Sequence, residues 1–311
     1  MSNVFSTITQ RGTQATLDEV MSSSPRIWEN HCQELPSDAP DELYVWLGSI
    51  PLPTEYLSGY QYEHLREFSF SLVNKEYTLA AIFDQTTMED DRHGMISKRV
   101  GEFLQMFPKF MEIQFATMLT SGGTDTAYDG TSFFSTTRTI GNSGTIDNDD
   151  TENIGDPDAP LASEILTSLQ TIIAKMHRYA DDQGQVGYNY DAMKRLRCVI
   201  PPEMERAFRE AVSSTIVSTA AATASMSNPW GMNLVEFDTC PFLGASDNTF
   251  YVSALGASRW PYVRQMRVQP YVTVFNSDSD VEAAHGMKIQ VRARYRFGYG
   301  EPRRALRDVY T

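Results

Sequence analysis

From Arg66 onward, apolar and polar residues alternate with a period of two. Phe68, Phe70 and Leu72 stand against Glu67, Ser69 and Ser71, and Tyr77, Leu79, Ala81 and Phe83 follow Val73-Asn74-Lys75-Glu76. Such spacing puts each set on one strand face and predicts a hairpin from Arg66 to Asp84, turning at Asn74-Lys75. A second alternation, Met287, Ile289, Val291, Ala293, Tyr295 and Phe297 against Lys288, Gln290, Arg292, Arg294 and Arg296, predicts a half-buried strand with a cationic outer face. Between them the period becomes helical. Met95, Ile96, Val100, Phe103, Leu104, Phe107, Phe110, Met111, Phe115, Met118 and Leu119 form one stripe ending at Gly122-Gly123. Thr86 with Glu89 has capping-box spacing ahead of this helix, and Pro108 predicts a kink within it. Asp158 and Pro160 open another helix, with Leu161, Ile165, Leu166, Leu169, Ile172, Ile173 and Met176 on one face.

The stretch from Asp181 to Tyr251 orders the rest. Gly184 can take the left-handed conformation that closes a helix. Leu196 to Ile200 is a short apolar run stopped by Pro201-Pro202, and Met204, Ala207, Phe208, Ala211 and Val212 then share a helix face. An Ala/Ser/Thr-rich link and two further strands follow. Residues 1–40 are polar with scattered apolar positions and end in Pro36-Ser37-Asp38-Ala39-Pro40, which predicts an extended arm lying against a neighbour. Residues 141–158 carry six acidic residues and no basic one, and are expected to form a loop without regular structure.

These residues resemble one family, the major head subunit of phage Mu-like tailed phages. The resemblance rests on Asp181 with Gly184, Val199-Ile200-Pro201-Pro202, Glu203 with Ala207, and Asn228-Pro229-Trp230. It also rests on Tyr128-Asp129-Gly130-Thr131-Ser132-Phe133-Phe134 and on Glu89-Asp90-Asp91 with Gly94, so it covers roughly residues 25 to 311. One departure is Ser135-Thr136-Thr137-Arg138, where the family usually has an acidic or His-bearing segment. The resemblance implies an α+β, Hong Kong 97-like capsid fold with an N-terminal arm (1–42) and an extended hairpin, or E-loop, region (43–86). It further implies a peripheral domain with the spine helix and C-terminal strands (87–158 and 261–311) and an axial domain (159–260).

Composition allows this and narrows the rivals. The chain has 311 residues, 41% hydrophobic and 21% charged, enough for one large or two modest domains with a real core. A net charge of −14 argues against a protein that holds DNA by neutralising phosphates, and suits a wall that must not bind the genome it surrounds. The charge is uneven: residues 259–311 stand at +5 and the remainder at −19. Cys32, Cys198 and Cys240 show neither disulfide nor zinc spacing, which points to a reducing cytoplasm. No signal peptide or membrane span is expected, and any scaffold should be a separate protein.

No catalytic constellation emerges. His31, His64, His93, His177 and His285 are isolated, Gly141-Asn142-Ser143-Gly144 is no nucleophile elbow, and no Walker sequence exists. The acidic tracts Asp147–Thr151 and Asn276–Asp280 lack the glycine and distal glutamate of a calcium loop and read as solvated loops. No cofactor, metal or catalytic residue is therefore assigned. Lys75 reads as a solvated turn lysine rather than a crosslink donor. The candidate sites are intersubunit contacts: Phe70, Asn74, Lys75 and Tyr77 on the hairpin, with Asp147, Asp149, Asp150 and Glu152 facing Arg292, Arg294 and Arg296 of a neighbour. The expected function is a shell built from hexamers and pentamers around double-stranded phage DNA. Scaffold, portal and decoration proteins would be its partners, with assembly in the host cytoplasm. An encapsulin-type compartment and a soluble acidic enzyme are the alternatives.

Overall fold

The computed structural model describes residues 2–47, 67–84, 95–213, 216–218, 225–227, 235–244, 248–275 and 286–311. Helices α1 (Ser2–Ser23) and α2 (Ile27–His31) lead into strands β1 (Cys32–Pro36), β2 (Asp41–Leu47), β3 (Glu67–Val73) and β4 (Lys75–Asp84). The long helix α3 (Met95–Ser121) follows, with Pro108 inside it. Then come short strands β5 (Arg138–Thr139), β6 (Thr145–Ile146) and β7 (Asp149–Glu152), helix α4 (Ala162–Arg178), β8 (Leu196–Ile200) and helix α5 (Glu205–Ser213). The chain closes with β9 (Ile216–Ser218), β10 (Ser225–Ser227), β11 (Val235–Thr239), β12 (Thr249–Ala254), β13 (Tyr262–Phe275), β14 (Gly286–Tyr299) and β15 (Ala305–Tyr310).

Two sheets organise these elements. One has the order β1-β13-β14-β4, with β1 parallel to β13 and the other pairs antiparallel. Its apolar face meets α3, and Leu104, Phe107, Met111, Phe115 and Leu119 share a core with Tyr262, Val291, Tyr295 and Phe297. The aromatic contacts there are mostly edge-on or tilted, with Phe115 and Tyr262 ring centroids 6.0 Å apart. The other sheet has the order β11-β8-β12-β15-β7. Helices α4 and α5 cover one face of it through Ile165, Leu169, Ile172, Phe208, Phe250 and Val252, while Val199, Tyr251 and Ala305 on the opposite face join the first core. Each fully buried large side chain contributes about 1.5–3 kcal/mol, so both faces of the second sheet add to its stability.

Four expectations are corrected by this arrangement. The first residues form a helix rather than an extended arm, because Leu17 and Val20 lie on one helical face and bury against α3 and β13. Strands β3 and β4 are not a hairpin with each other. β3 pairs with β2 in a two-stranded ribbon, and β4 pairs with β14, so Asn74 marks a corner between two sheets. Asn74 is buried: its side-chain amide donates to Ser37 Oγ (2.8 Å) and the Ala39 carbonyl (3.0 Å), which an exposed turn residue cannot do.

Gly184 does not close α4, which ends at Arg178; it sits at φ +88° in a separate turn where Asp181 Oδ1 accepts from the Gln183 and Gln185 amides. A side chain there would also press on the Asn142 carbonyl at 3.1 Å. Finally, the acidic segment 141–158 is not irregular throughout: it supplies β6 and the edge strand β7, which runs parallel to β15. Strand β15, expected with the peripheral part, lies between β12 and β7 in the five-stranded sheet. Thr86, Glu89-Asp90-Asp91, Gly94, Asn228-Pro229-Trp230, the tract Asn276–Asp280 and three of the histidines (His64, His93, His285) lie outside the described residues.

Candidate assembly surfaces

The motif from Tyr128 to Phe134 builds an internal joint. Gly130 takes φ +78° in a turn in which its amide bonds the Ala127 carbonyl and Asp129 Oδ1 accepts from the Thr131 amide. Arg138 is fully buried; it pairs with Asp129 and donates to the carbonyls of Ser132 and, at 3.1 Å, Phe133. Phe133 stacks on Tyr299 with centroids 4.5 Å apart, and Phe134 packs on Tyr251. Asn148, also fully buried, donates to the Phe133, Pro302 and Ala305 carbonyls and accepts the Ser135 amide. The segment that departs from the family pattern, Ser135 to Arg138, is thus pinned at both ends.

Tyr128 reaches Glu301, which is held by Arg303 at 2.8 and 3.1 Å and by the Tyr188 hydroxyl at 3.0 Å. Burial raises the Glu301 carboxyl, but Arg303, Arg304 and the Tyr188 hydroxyl outweigh it and hold the pKa at about 2. The Arg303 guanidinium also lies 3.8 Å from the Tyr188 ring centroid. This part of the cationic carboxyl-terminal region is therefore internal and unable to meet a neighbour.

The outward surfaces lie elsewhere. The β2–β3 ribbon has two faces with different fates. Its inner face is clamped to the body: the Tyr44 hydroxyl donates to Gln265 Oε1 at 2.8 Å, and Gln265 Nε2 donates to the Leu72 carbonyl at 3.1 Å. Leu72 is buried over Gly298, where a Cβ would approach its methyl groups to 2.9 Å, so a side chain at this position of β14 would displace Leu72. The outer face carries Leu43, 64% exposed, and Val73, 61% exposed. No third strand pairs with the ribbon among the described residues. Beside it, β4 is the edge of its sheet, and an apolar groove of about 550 Å³ runs between it and α3, lined by Tyr77, Leu79, Met106, Phe107, Phe110 and Ile113.

Of the residues singled out on the hairpin, Phe70 is half-buried on the ribbon's inner face and Lys75 is exposed in register with Tyr295. Tyr77 is half-buried and packs within its own chain, 5.3 Å from Phe110 and 4.7 Å from Tyr295. The acidic segment also finds partners in its own chain. Lys175 Nζ bridges Asp147 and Asp150 at 2.7 Å each, Arg307 binds Asp149 through two bonds of 2.7 Å, and Ser168 donates to Glu152 at 3.0 Å. These contacts hold the acidic segment within its own chain, with Lys175 and Arg307 as its cations.

Arg292 forms a forked pair with Glu76 (2.7 and 3.1 Å), which holds the Glu76 carboxyl below its ordinary range. Arg294 and Arg296 stay on the half-exposed face of β14. No alternation marks Leu43 within the continuous apolar run 43–47, and Val73 stands in the sequence as part of the expected turn Val73-Asn74-Lys75-Glu76. Among the described residues, no group of three or more His, Cys, Asp or Glu side chains is arranged to hold a metal. No described helix is long and apolar enough to cross a membrane.

Comparison with known proteins agrees with this architecture. The family model for the Mu-like prophage major head subunit gpT matches residues 7–163, which include most of α1, the β2–β3 ribbon, α3 and the Tyr128–Phe134 joint. The Mu-like prophage FluMu major head subunit of Haemophilus influenzae is 29% identical over 139 residues, 42% of this chain and 45% of that protein. The match thus spans under half of that relative. The Bacteriophage JBD30 capsid has TM-score 0.55 at 10% identity, covering 92% of this chain and 65% of that one. The capsid of the Cyanophage P-SCSP1u has TM-score 0.63 at 10% identity, covering 92% and 88%. At such identity the structural likeness speaks for the fold, while the sequence model speaks for the family. The chain belongs to the Mu-like prophage major head subunit gpT family and has the α+β, Hong Kong 97-like capsid fold.

Proposed function

We propose that this chain is a structural subunit, not an enzyme, that self-associates into hexamers and pentamers and closes an icosahedral head around double-stranded DNA. The observation that carries the reading is the family match over residues 7–163, which includes a ribbon whose outer face leaves Leu43 and Val73 in solvent. An isolated two-stranded ribbon is marginal in water, and apolar side chains exposed on one gain from a second protein surface. The net charge of −14 keeps the wall from binding the enclosed genome by phosphate neutralisation. Assembly in a bacterial cytoplasm, with a scaffold and a portal as partners, follows from the same reading. The test is co-expression with the phage's scaffold and protease, followed by electron microscopy and nucleic-acid absorbance of the particles. Closed shells tens of nanometres wide are expected. A monodisperse monomer that turns over a small substrate overturns the reading.

A further inference from the structure

The β7–β15 pairing has an imbalance of charge that the shell-building role does not explain. In the parallel register Asp308 stands opposite Asp150, on the face that looks toward α4 together with Glu152, Leu306 and Tyr310. The donors described on that face are turned to other groups. Lys175 bridges Asp147 and Asp150, the Ser168 hydroxyl serves Glu152, and the Tyr310 hydroxyl serves Ser168 at 3.0 Å. The Tyr179 hydroxyl is bonded to the Asp147 carbonyl. Asp308 is fully buried, and neither carboxyl oxygen has a hydrogen-bond partner; only the neighbouring Val309 amide bears on it. Four carboxyl groups thus face one ammonium group, with Arg307 turned to the opposite face and paired with Asp149.

A buried carboxylate without a donor is costly, whereas a buried carboxyl that keeps its proton offers an O–H to the carboxylates it faces. Burial, then Glu152 and Asp150, push the Asp308 carboxyl up to about 7, with Lys175 opposing. What this carboxyl sits on is an edge. β7 is four residues long, and beyond it the Thr311 amide bonds the Glu152 carbonyl (2.9 Å) while the Ile154 amide bonds the Thr311 carbonyl (3.1 Å). The strand therefore clasps the carboxyl terminus with few backbone bonds and no strand outside it among the described residues.

We propose that Asp308 makes this pairing a proton-operated clasp, closed while Asp308 is protonated and loosened when it ionises against Asp150 and Glu152. The sign follows from linkage. A carboxyl whose pKa is higher in the closed state than in the open one favours closure most at low pH. That advantage is lost as pH rises from the ordinary value of 3.8 through about 7. Between about pH 6 and about pH 8 the opening equilibrium should rise about tenfold.

The test is hydrogen exchange of the full chain, read by mass spectrometry on peptides covering 147–154 and 305–311 and corrected for intrinsic rates. The parent should lose about tenfold protection in both peptides over that pH range. Asp308→Asn should show protection independent of pH. Unchanged protection in the parent, or the same loss in Asp308→Asn, overturns the clasp. Should Asp308→Asn fail to fold, Glu152→Gln and carbon-13 NMR of the Asp308 carboxyl decide the matter. The parent midpoint should lie near neutrality and move to lower pH in Glu152→Gln. A parent midpoint in the ordinary carboxylate range, or one indifferent to Glu152, overturns the proposal equally.

Discussion

Glu112, midway along α3, accepts the backbone N–H of Ile27 at 2.7 Å and so caps α2, a task that the preceding Arg26 side chain does not perform. The carboxyl is buried, its second oxygen has no partner, and burial pushes its pKa up to about 7, with Asp238 adding to the effect and the Ile27 and Trp28 amides opposing it. A single side chain thereby couples the turn after α1 to the helix that spans the first core.

A pH dependence follows. Because the folded-state pKa exceeds the ordinary 4.5, the Glu112 contribution is fully present in acid and is lost as pH rises through about 7. Glu112→Gln keeps an oxygen for the Ile27 amide and cannot ionise. The variant should melt with the parent at about pH 4 and above it at about pH 8. Thermal scans of the soluble chain at the two pH values check this; a parent that is the more stable at the higher pH removes it.

Asn74 separates the two views of residues 66–84. At a solvent-exposed hairpin turn, glycine would be welcome and Asn74→Gly would be close to neutral. At the observed corner, the substitution removes two bonds of the Asn74 amide, leaving Ser37 and Ala39 only the bonds that the Ser37 hydroxyl donates to the Ala39 carbonyl and Glu42. The expected loss is about 1–3 kcal/mol. Urea unfolding of the two proteins measures it, and a loss within error of zero would restore the turn.

For the acidic segment, the question is whether its charges act in the subunit or only in the shell. Asp149 and Arg307 are about one-fifth exposed and joined by two short bonds inside one chain. Asp149→Asn should therefore lower the melting temperature of the unassembled subunit, at a cost of about 1 kcal/mol that shrinks in high salt. If the subunit is unchanged and only assembled shells lose stability, the segment works between chains as its sequence first suggests.

What could be read in advance depended on how local the cause was. Helix α4 and strands β8 and β14 carry their own periodicity, and the Pro201-Pro202 stop is a property of two adjacent residues. Partner choice is not local. β3 has the alternation of a strand, but its pairing with β2 rather than β4 is decided by Ser37, Ala39 and Pro40 gripping Asn74. Similarly, six acidic residues in a row of polar ones look solvated until Lys175 and Arg307, far along the chain, are placed beside them. The Tyr128–Phe134 motif was visible as a pattern, while its dependence on buried Arg138 and Asn148 was not, since neither residue type signals burial.

The ribbon supplies the sharpest separation between folding and assembly. Its inner face is tied to the body by Tyr44, Leu72 and Gln265, and its outer face holds Leu43 and Val73 in solvent. Changing an exposed residue away from any partner alters stability by about 0.5 kcal/mol or less. The double variant Leu43→Ser, Val73→Thr should accordingly melt with the parent as a subunit, and Thr at position 73 keeps a β-branched side chain in the strand. If the outer face is covered in the shell, the same variant loses a contact repeated at every subunit, and the yield of closed particles should collapse. Tyr44→Phe supplies the contrast: removing the hydroxyl from Gln265 acts on the subunit itself and should cost about 1 kcal/mol before any assembly occurs. Differential scanning calorimetry of subunits and particle counts by electron microscopy read the two effects separately. Normal particle yield from the double variant would place the assembly contact elsewhere, with the edge of β4 and the groove beside Met106 and Ile113 as the next surface to change.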